Sequence, residues 1–468
     1  MNRTTHNPVV CLISLGCSKN TVDSECILGN LAADGILIAE NPRDADVCLV
    51  NTCGFIQDAR EEAAGVFEEL HAQRRKGKPG ALVALGCLVE RIADFPEMND
   101  FLRHANAKVG FQDYARLPEI CRALAAPSGA RAVRRVHRHG ATYRAPETFM
   151  RFLHSPRARI GSPHTAYLKI SEGCSNMCRF CSIPRIRGLQ VSRPLEELVG
   201  EAKELVQSGA REINLIAQDT TSYGKDLYGE YRLATLLREL KSVDPHVWYR
   251  MLYAYPRYLS DDVLDALATE PHLCPYLDLP LQHISDRVLK DMGRGMSRDK
   301  TLRLLDKIAG KLPRGALRTT FIAGYPGETD SEFNELLDFV KEGRFTHLGV
   351  FTYSREPGTP AAKQDDDVPL EVKKERRNEL MLAQLHVSRE RLKRMTGETV
   401  EVMLDGLLED EAEVPPGSVA FGRTRLDAAD VDGMVFLRGE TDGAMPGEIL
   451  KAEVTEGLDY DLVADITP

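Results

Sequence analysis

The sequence predicts an α/β protein of three units: an amino-terminal open α/β sheet, a central partial (β/α)6 barrel and a small antiparallel β-barrel at the carboxyl end. Three observations predict it. Short apolar runs within residues 9–87 each end in a cysteine-bearing loop and lead into a helix-like stretch. Six strand-like runs alternate with helical periodicity between residues 165 and 351. Residues 396–468 alternate apolar and polar side chains, with Gly and Pro between the runs. At roughly 150 residues per domain, a chain of 468 residues accommodates three such units. They are placed at 8–125, 161–395 and 396–468, with a basic linker over 126–160.

In the first unit, VVCLIS (9–14), DVCLV (46–50) and ALVAL (81–85) are continuous apolar runs bounded by loop residues, the pattern of buried parallel strands. Cys17, Cys53 and Cys87 then each sit just past the carboxyl end of a strand, where open α/β sheets place their ligands. Three thiolates converging there could hold three corners of a cubane iron–sulfur cluster and leave its fourth iron free. Free cysteines also serve as small buried hydrophobes. That role suits Cys11, Cys26, Cys48, Cys121 and Cys274, which lie in apolar or helical stretches.

The segment that follows carries arginines at 131, 134, 135, 138, 144, 151, 157 and 159 against one acid, Glu147, with no helical or strand period. It reads as a solvated linker, with a phosphate or rRNA contact as the alternative.

The central unit opens at TAYLKI (165–170) and continues through EINLIA (212–217), WYRMLY (248–253), YLDLPL (276–281), LRTTFI (317–322) and THLGVF (346–351). Helical stretches such as 195–207 and 331–341 separate the runs, so the strands are parallel and the barrel partly open. Barrels of this kind put their chemistry at the carboxyl ends of the strands. The first such end is SEGCSNMCRFC (171–181), a CxxxCxxC run of Cys174, Cys178 and Cys181. Its three thiolates again leave one iron open to a small molecule. A structural zinc site would need a fourth Cys or His at zinc spacing, and none follows. Other strand ends offer Gln218-Asp219, Gln282-His283 and GYPGE (324–328) as cofactor or substrate contacts. Turns after strands commonly contain such residues, and His283 suits a hydrogen-bonded loop as well as a catalytic role.

A charged helix over 371–394 leads to the last unit, where TVEVML (399–404) and ILKAEV (449–454) alternate as strands of a small barrel. This unit holds 18 acidic and 4 basic residues, a net of −14, while the rest of the chain nets +4. Such a surface repels phosphates and attracts a strongly basic protein, although high charge also serves plain solubility. Every candidate cluster ligand precedes residue 396, so the unit reads as removable without loss of either metal site.

The CxxxCxxC run within its barrel resembles the radical S-adenosylmethionine (SAM) enzymes. With LGCSKNTVDSE (15–25), NTCGF (51–55) and Gly86-Cys87, the chain is similar over nearly its whole length to the methylthiotransferases, and residues 396–468 resemble their TRAM domain. Lys19-Asn20 and VDSE (22–25) look like the branch acting on a ribosomal protein, whereas tRNA-modifying relatives tend to show Gln-Met-Asn at 18–20. The resemblance implies two 4Fe-4S clusters. The one at Cys174, Cys178 and Cys181 chelates SAM and splits it into methionine and a deoxyadenosyl radical. The one at Cys17, Cys53 and Cys87 presents a sulfur that a second SAM methylates before transfer to the substrate radical. It also implies Phe180 near the adenine, with Gln218, Gly324, Pro326, Gly327 and Glu328 as further SAM contacts. The implied substrate is the β-carbon of an aspartate in the twelfth small-subunit ribosomal protein, free or within its subunit, and a low-potential donor supplies the electron.

No GxxxxGK[ST], GxSxG or HExxH motif occurs, so kinase and hydrolase readings find no support. No apolar run approaches the ~20 residues of a membrane span, and the start, MNRTTHNP, lacks a signal-peptide pattern. Eleven cysteines, six at cluster positions, fit a reducing compartment, hence a cytoplasmic protein with no membrane partner. Three alternatives stay open: a tRNA methylthiotransferase acting on a modified adenosine beside the anticodon, a radical SAM enzyme without sulfur insertion, and a non-catalytic iron–sulfur sensor.

Overall fold

The computed structural model describes residues 7–95, 98–126, 134–135, 147–408 and 414–467. Arg131, Arg138 and Arg144 of the basic stretch, and Glu409, Asp410, Glu411 and Glu413 of the acidic unit, lie outside the described residues. The first unit is a parallel sheet of β1 (Val9–Ser14), β2 (Leu37–Ala39), β3 (Val47–Thr52), β4 (Ala81–Gly86), β5 (Ala107–Val109) and β6 (Arg134–Arg135), in the order β2-β1-β3-β4-β5-β6. β3 and β4 are buried along their whole length because helices cover both faces. On one face Val47, Leu49, Val83 and Leu85 meet Val22, Cys26 and Leu31 of helix Ser18–Ala33. On the other, Cys48, Val50, Leu82 and Ala84 meet Ala63, Phe67 and Leu70 of helix Gln57–Arg74. Strand order reverses between β1 and β3, which opens a crevice at their carboxyl ends.

The central unit starts with β7 (Thr165–Lys169). A short antiparallel pair, β8 (Ser171–Glu172) and β9 (Val191–Ser192), brackets the CxxxCxxC loop. The strands β10 (Glu212–Ile216), β11 (Trp248–Met251), β12 (Tyr276–Asp278), β13 (Ala316–Ala323) and β14 (His347–Thr352) follow. They form parallel sheets β11-β10-β7 and β12-β13-β14, joined by a bridge between Tyr249 and Leu273. Among the described residues nothing pairs β7 with β14, so the barrel is open as the sequence predicts. Outside it, Leu198, Leu264, Ile308, Leu336 and Leu380 of the flanking helices pack on Leu168, Leu215, Phe321 and Leu348 of the strands.

The third unit closes as β15 (Thr399–Leu407), β16 (Ser418–Arg423), β17 (Val435–Arg438), β18 (Ile449–Gly457) and β19 (Leu462–Ile466), in the ring order β15-β16-β17-β19-β18. It corrects the expectation of a wholly antiparallel barrel, because β17 and β19 run parallel. The reason is geometric. A closed ring of five strands cannot alternate direction all the way round, so one pair must be parallel.

A second correction concerns separability. The loop after β16 enters the amino-terminal mouth of the central barrel. There Arg423 pairs with Glu212 at 2.6 Å, and Arg425 lies over the Trp248 ring at 5.4 Å. Asp432 accepts from Tyr276 at 2.7 Å and from Arg318 at 3.2 Å, and His347 Nε2 donates to the Leu426 carbonyl at 2.9 Å. The acidic unit therefore forms the barrel floor, and removing it would uncover buried Trp248 and Tyr276. The basic stretch is corrected at its end. The Arg157 side chain is 7% exposed and binds Glu25 and Glu201, and Arg159 donates to the carbonyls of Ser162 and Thr165, so neither is a solvated linker residue.

Candidate active site

Cys17 follows β1 at the N-cap of helix Ser18–Ala33, Cys53 follows β3, and Cys87 opens helix Cys87–Arg91 directly after β4. Two glycines let these strand ends close up. Gly16 has φ +93°, and a Cβ there would lie 2.7 Å from the Cys53 Cβ. Gly86 has φ +88°, and a Cβ there would lie 2.3 Å from the Thr52 carbonyl oxygen. Burial pushes the Cys87 thiol up to about 12, opposed by Arg187 and reinforced by Cys53 and Cys17, so the three sulfurs lie within each other's field. Burial also raises Cys17, but Lys19, Arg187 and the backbone N–H groups of Asn20 and Lys19 outweigh it and hold that thiol below its ordinary value.

The second triad lies on the loop between β8 and β9. Asn176 donates to Asp219 at 2.7 Å, Arg179 pairs with Asp291 at 2.8 Å, and the Arg179 N–H donates to the Met292 carbonyl at 2.9 Å. Cys178 Sγ accepts from Arg294 at 3.3 Å and lies 3.8 Å from Tyr255 Oη. Burial pushes Cys174 up to about 12 and raises Cys181 as well. Thiolates at these positions therefore call for a bound cation. Each triad is an all-sulfur donor set, the chemistry that holds an iron–sulfur cluster.

The other predicted residues occupy the same carboxyl face. Phe180 is half-buried against the cluster of Val288, Met292 and Tyr325, which sets it beside the 324–328 loop. Gln218 donates to Glu172 at 3.1 Å and keeps a buried Oε1 with no partner. Gly324 donates its N–H to the Glu328 carboxylate at 3.0 Å, and Gly327 donates to Asp367 at 2.7 Å, with Pro326 between them. Glu328 is turned into this loop, accepting from Arg376 at 2.8 Å with His283 Nε2 at 3.3 Å. His283 is fully buried and accepts the Ser285 N–H, the part of a loop residue.

Sequence reasoning missed the charges that join the two triads. Lys169 pairs with Asp23 and, at 2.9 Å, with Glu172; Arg187 pairs with Asp23 at 2.9 Å and Glu172 at 3.1 Å. Arg187 also donates to Asn20 at 2.6 Å, and Asn20 Oδ1 lies 3.8 Å from Cys87 Sγ. Burial would raise Glu172, but Arg187 and Lys169 outweigh it and hold the carboxyl at about 2. The one available signal was a lysine closing the apolar run TAYLK and a glutamate two residues before Cys174.

Residues 9–103 match the Uncharacterized protein family UPF0004, 168–340 the Radical SAM superfamily and 396–467 the TRAM domain. The chain is 44% identical over 462 residues to the ribosomal protein uS12 methylthiotransferase RimO of Anaeromyxobacter sp. (strain K), covering 97% of this chain and 92% of that protein. It is 42% identical to RimO of Geobacter sulfurreducens, covering 98% of each chain, and 42% identical to RimO of Aquifex aeolicus, covering 96% and 95%. The chain belongs to the RimO family of methylthiotransferases. As a RimO-family enzyme it uses SAM and a 4Fe-4S cluster. The fold is shared with the radical SAM methyltransferase TsrM of Kitasatospora setae, at a TM-score of 0.54 and 15% identity over 87% of this chain and 79% of that one. Among the described residues no helix is long and apolar enough to cross a membrane.

Proposed function

We propose that this chain places a methylthio group on the β-carbon of an aspartate in ribosomal protein uS12, in keeping with the name its full-length relatives carry. One observation supports it above others: two three-thiol sites lie on one interface and share the bridge Asn20–Arg187–Glu172. A radical enzyme that inserted no sulfur would need only one of them. With a cluster on Cys174, Cys178 and Cys181 and a second on Cys17, Cys53 and Cys87, the site would supply both the radical that opens an unactivated C–H bond and the iron at which sulfur is held for methylation.

The chain's own residues position these groups. Asp219, through Asn176, and Asp291, through Arg179, fix the loop that carries the second triad. Arg294 places a cation against Cys178. Phe180 and the 324–328 segment, including Gly324, Pro326, Gly327 and Glu328, shape the wall against which the nucleoside of SAM would lie. The unpartnered Oε1 of Gln218 is an acceptor suited to an N–H of its amino group. We assign the working units as 8–125, 161–395 and 396–468 with the linker 126–160. A low-potential donor completes the reaction, and any rRNA contact falls to the linker arginines before Arg157.

The partner reading rests on charge as well as on the relatives. Glu398, Glu401, Glu440, Asp442, Glu448, Glu453 and Glu456 are exposed on the last unit and would attract a cationic ribosomal protein and repel tRNA. The test is anaerobic turnover of the reconstituted enzyme with SAM, sulfide and a reductant, offered purified uS12 and bulk tRNA together. Mass spectrometry is expected to find a methylthio increment on one uS12 aspartate and none in tRNA. Transfer to tRNA with unmodified uS12 would overturn the proposal.

A further inference from the structure

Buried cations in this chain come with carboxylates. Lys169 and Arg187 face Asp23 and Glu172, Arg60 and Arg91 face Glu356, Arg250 and Arg423 face Glu212, and Arg376 faces Glu328. Lys19 departs from this pattern. It is 7% exposed, sits in the first turn of helix Ser18–Ala33, and among the described residues its ammonium has no ion-pair partner and no hydrogen bond to an acceptor. It rests on the face of Tyr253, 2.9 Å from the ring centroid. Arg294 also lacks a carboxylate, but it donates to Cys178 Sγ and to the Pro280 carbonyl.

The surroundings point to a ligand. Lys19 lies two residues past Cys17, and Ser18 Oγ is 3.4 Å from Tyr253 Oη, so the lysine stands where the first unit's crevice meets the carboxyl mouth of the central barrel. Tyr253 is held at φ +61°, a left-handed conformation uncommon for tyrosine, of the kind that collects at ligand sites. Asp278 at the end of β12 lies within the field of Lys19 but does not pair with it. It is engaged by the Tyr253 N–H at 2.9 Å and by Arg318 at 3.6 Å. Lys19 shares the field of the Cys17 thiol and of Asp278, but no carboxylate among the described residues pairs with it directly, and an aromatic face compensates only part of the cost of burying it.

We propose that Lys19 reads the carboxylate of the substrate aspartate. The inference rests on uS12 being the substrate and adds how its side chain is recognised. The carboxylate carbon is bonded directly to the β-carbon, so a cation fixed on the carboxylate also fixes the reacting C–H bond. Asparagine has the same shape without the charge and would leave Lys19 buried and unpaired, so the lysine acts as a specificity device. The same chemistry is offered by the carboxylate of SAM, and the experiment separates the two.

The test uses the cluster-loaded full-length enzyme with uS12 and with uS12 whose modified aspartate is replaced by asparagine. Dissociation constants are measured for the wild type, Lys19→Gln and Lys19→Arg, with SAM affinity measured alongside. The wild type is expected to prefer the aspartate form on the order of a hundredfold. Lys19→Gln should bind the two forms alike, and Lys19→Arg should keep part of the preference. A wild-type ratio near one overturns the inference without any variant. A ratio kept intact in Lys19→Gln also overturns it, and if SAM affinity falls instead, the lysine serves SAM. Either result leaves the uS12 reading standing, whereas wild-type transfer to tRNA and not to uS12 would overturn both.

Discussion

At the residue scale, each triad combines thiols from a distinct structural setting. Cys17, Cys53 and Cys87 come from three strand ends of one sheet, while Cys174, Cys178 and Cys181 share one loop. Loss of one thiolate should therefore affect one site and spare the other. The reconstituted chain is expected to hold about eight irons, and Cys53→Ala or Cys178→Ala about four each. Cys53→Ala should still split SAM into methionine and deoxyadenosine without transferring a methylthio group, and Cys178→Ala should do neither. Iron analysis with chromatography of the SAM products checks both, and a wild type saturating at about four irons would contradict the second cluster.

Elements decide how the strand-end thiols meet. β3 and β4 pair in register up to Thr52 and Gly86, so the strand ends stop level and the cysteines after them are neighbours. Gly86 makes this possible, because its positive φ turns the chain into helix Cys87–Arg91 beneath the Thr52 carbonyl. Gly86→Ala should force β3 and β4 apart at this point and destabilise the first unit by ~1–3 kcal/mol. We expect it to lose the iron of the Cys17/Cys53/Cys87 site while the radical site, anchored on the central barrel, keeps SAM cleavage. Iron content near the wild-type value in this variant would show that the turn tolerates a side chain.

At the scale of the whole molecule, buried charge clusters fasten three units into one body. Glu172 and Asp23 tie the first unit to the barrel, and Glu212 with Arg250 and Arg423 ties the barrel to its floor. Breaking such a pair from one side typically costs ~3–5 kcal/mol. Truncation at residue 396 should therefore lower thermal stability and compromise SAM cleavage, since Glu212 and Arg250 lose a partner and the barrel floor opens to water. Charge attraction needs a gentler probe. Neutralising the exposed Glu440, Asp442, Glu448, Glu453 and Glu456 should weaken uS12 binding and flatten its salt dependence, because the screening length falls from ~10 Å at 0.1 M to ~3 Å at 1 M. Unchanged binding across a salt series would assign these acids to solubility alone.

Much of this was legible in the chain because it is written in local patterns. A continuous apolar run marks a buried parallel strand, loop residues mark its end, and the cysteine after each end follows from spacing. Net charge is additive and independent of fold, so the acidic unit could be counted directly. Pairings between distant positions are a different matter. Lys169 meets Asp23 across 146 residues, and Arg423 meets Glu212 across 211, distances over which no periodic signal survives. The parallel strand pair in the last barrel follows from ring closure, and the role of that barrel as a floor follows from where its loop inserts. Lys19 illustrates the division best. Its position near Cys17 is plain in the sequence, but its lack of an ion-pair partner among the described residues, where other buried cations have one, shows only in three dimensions.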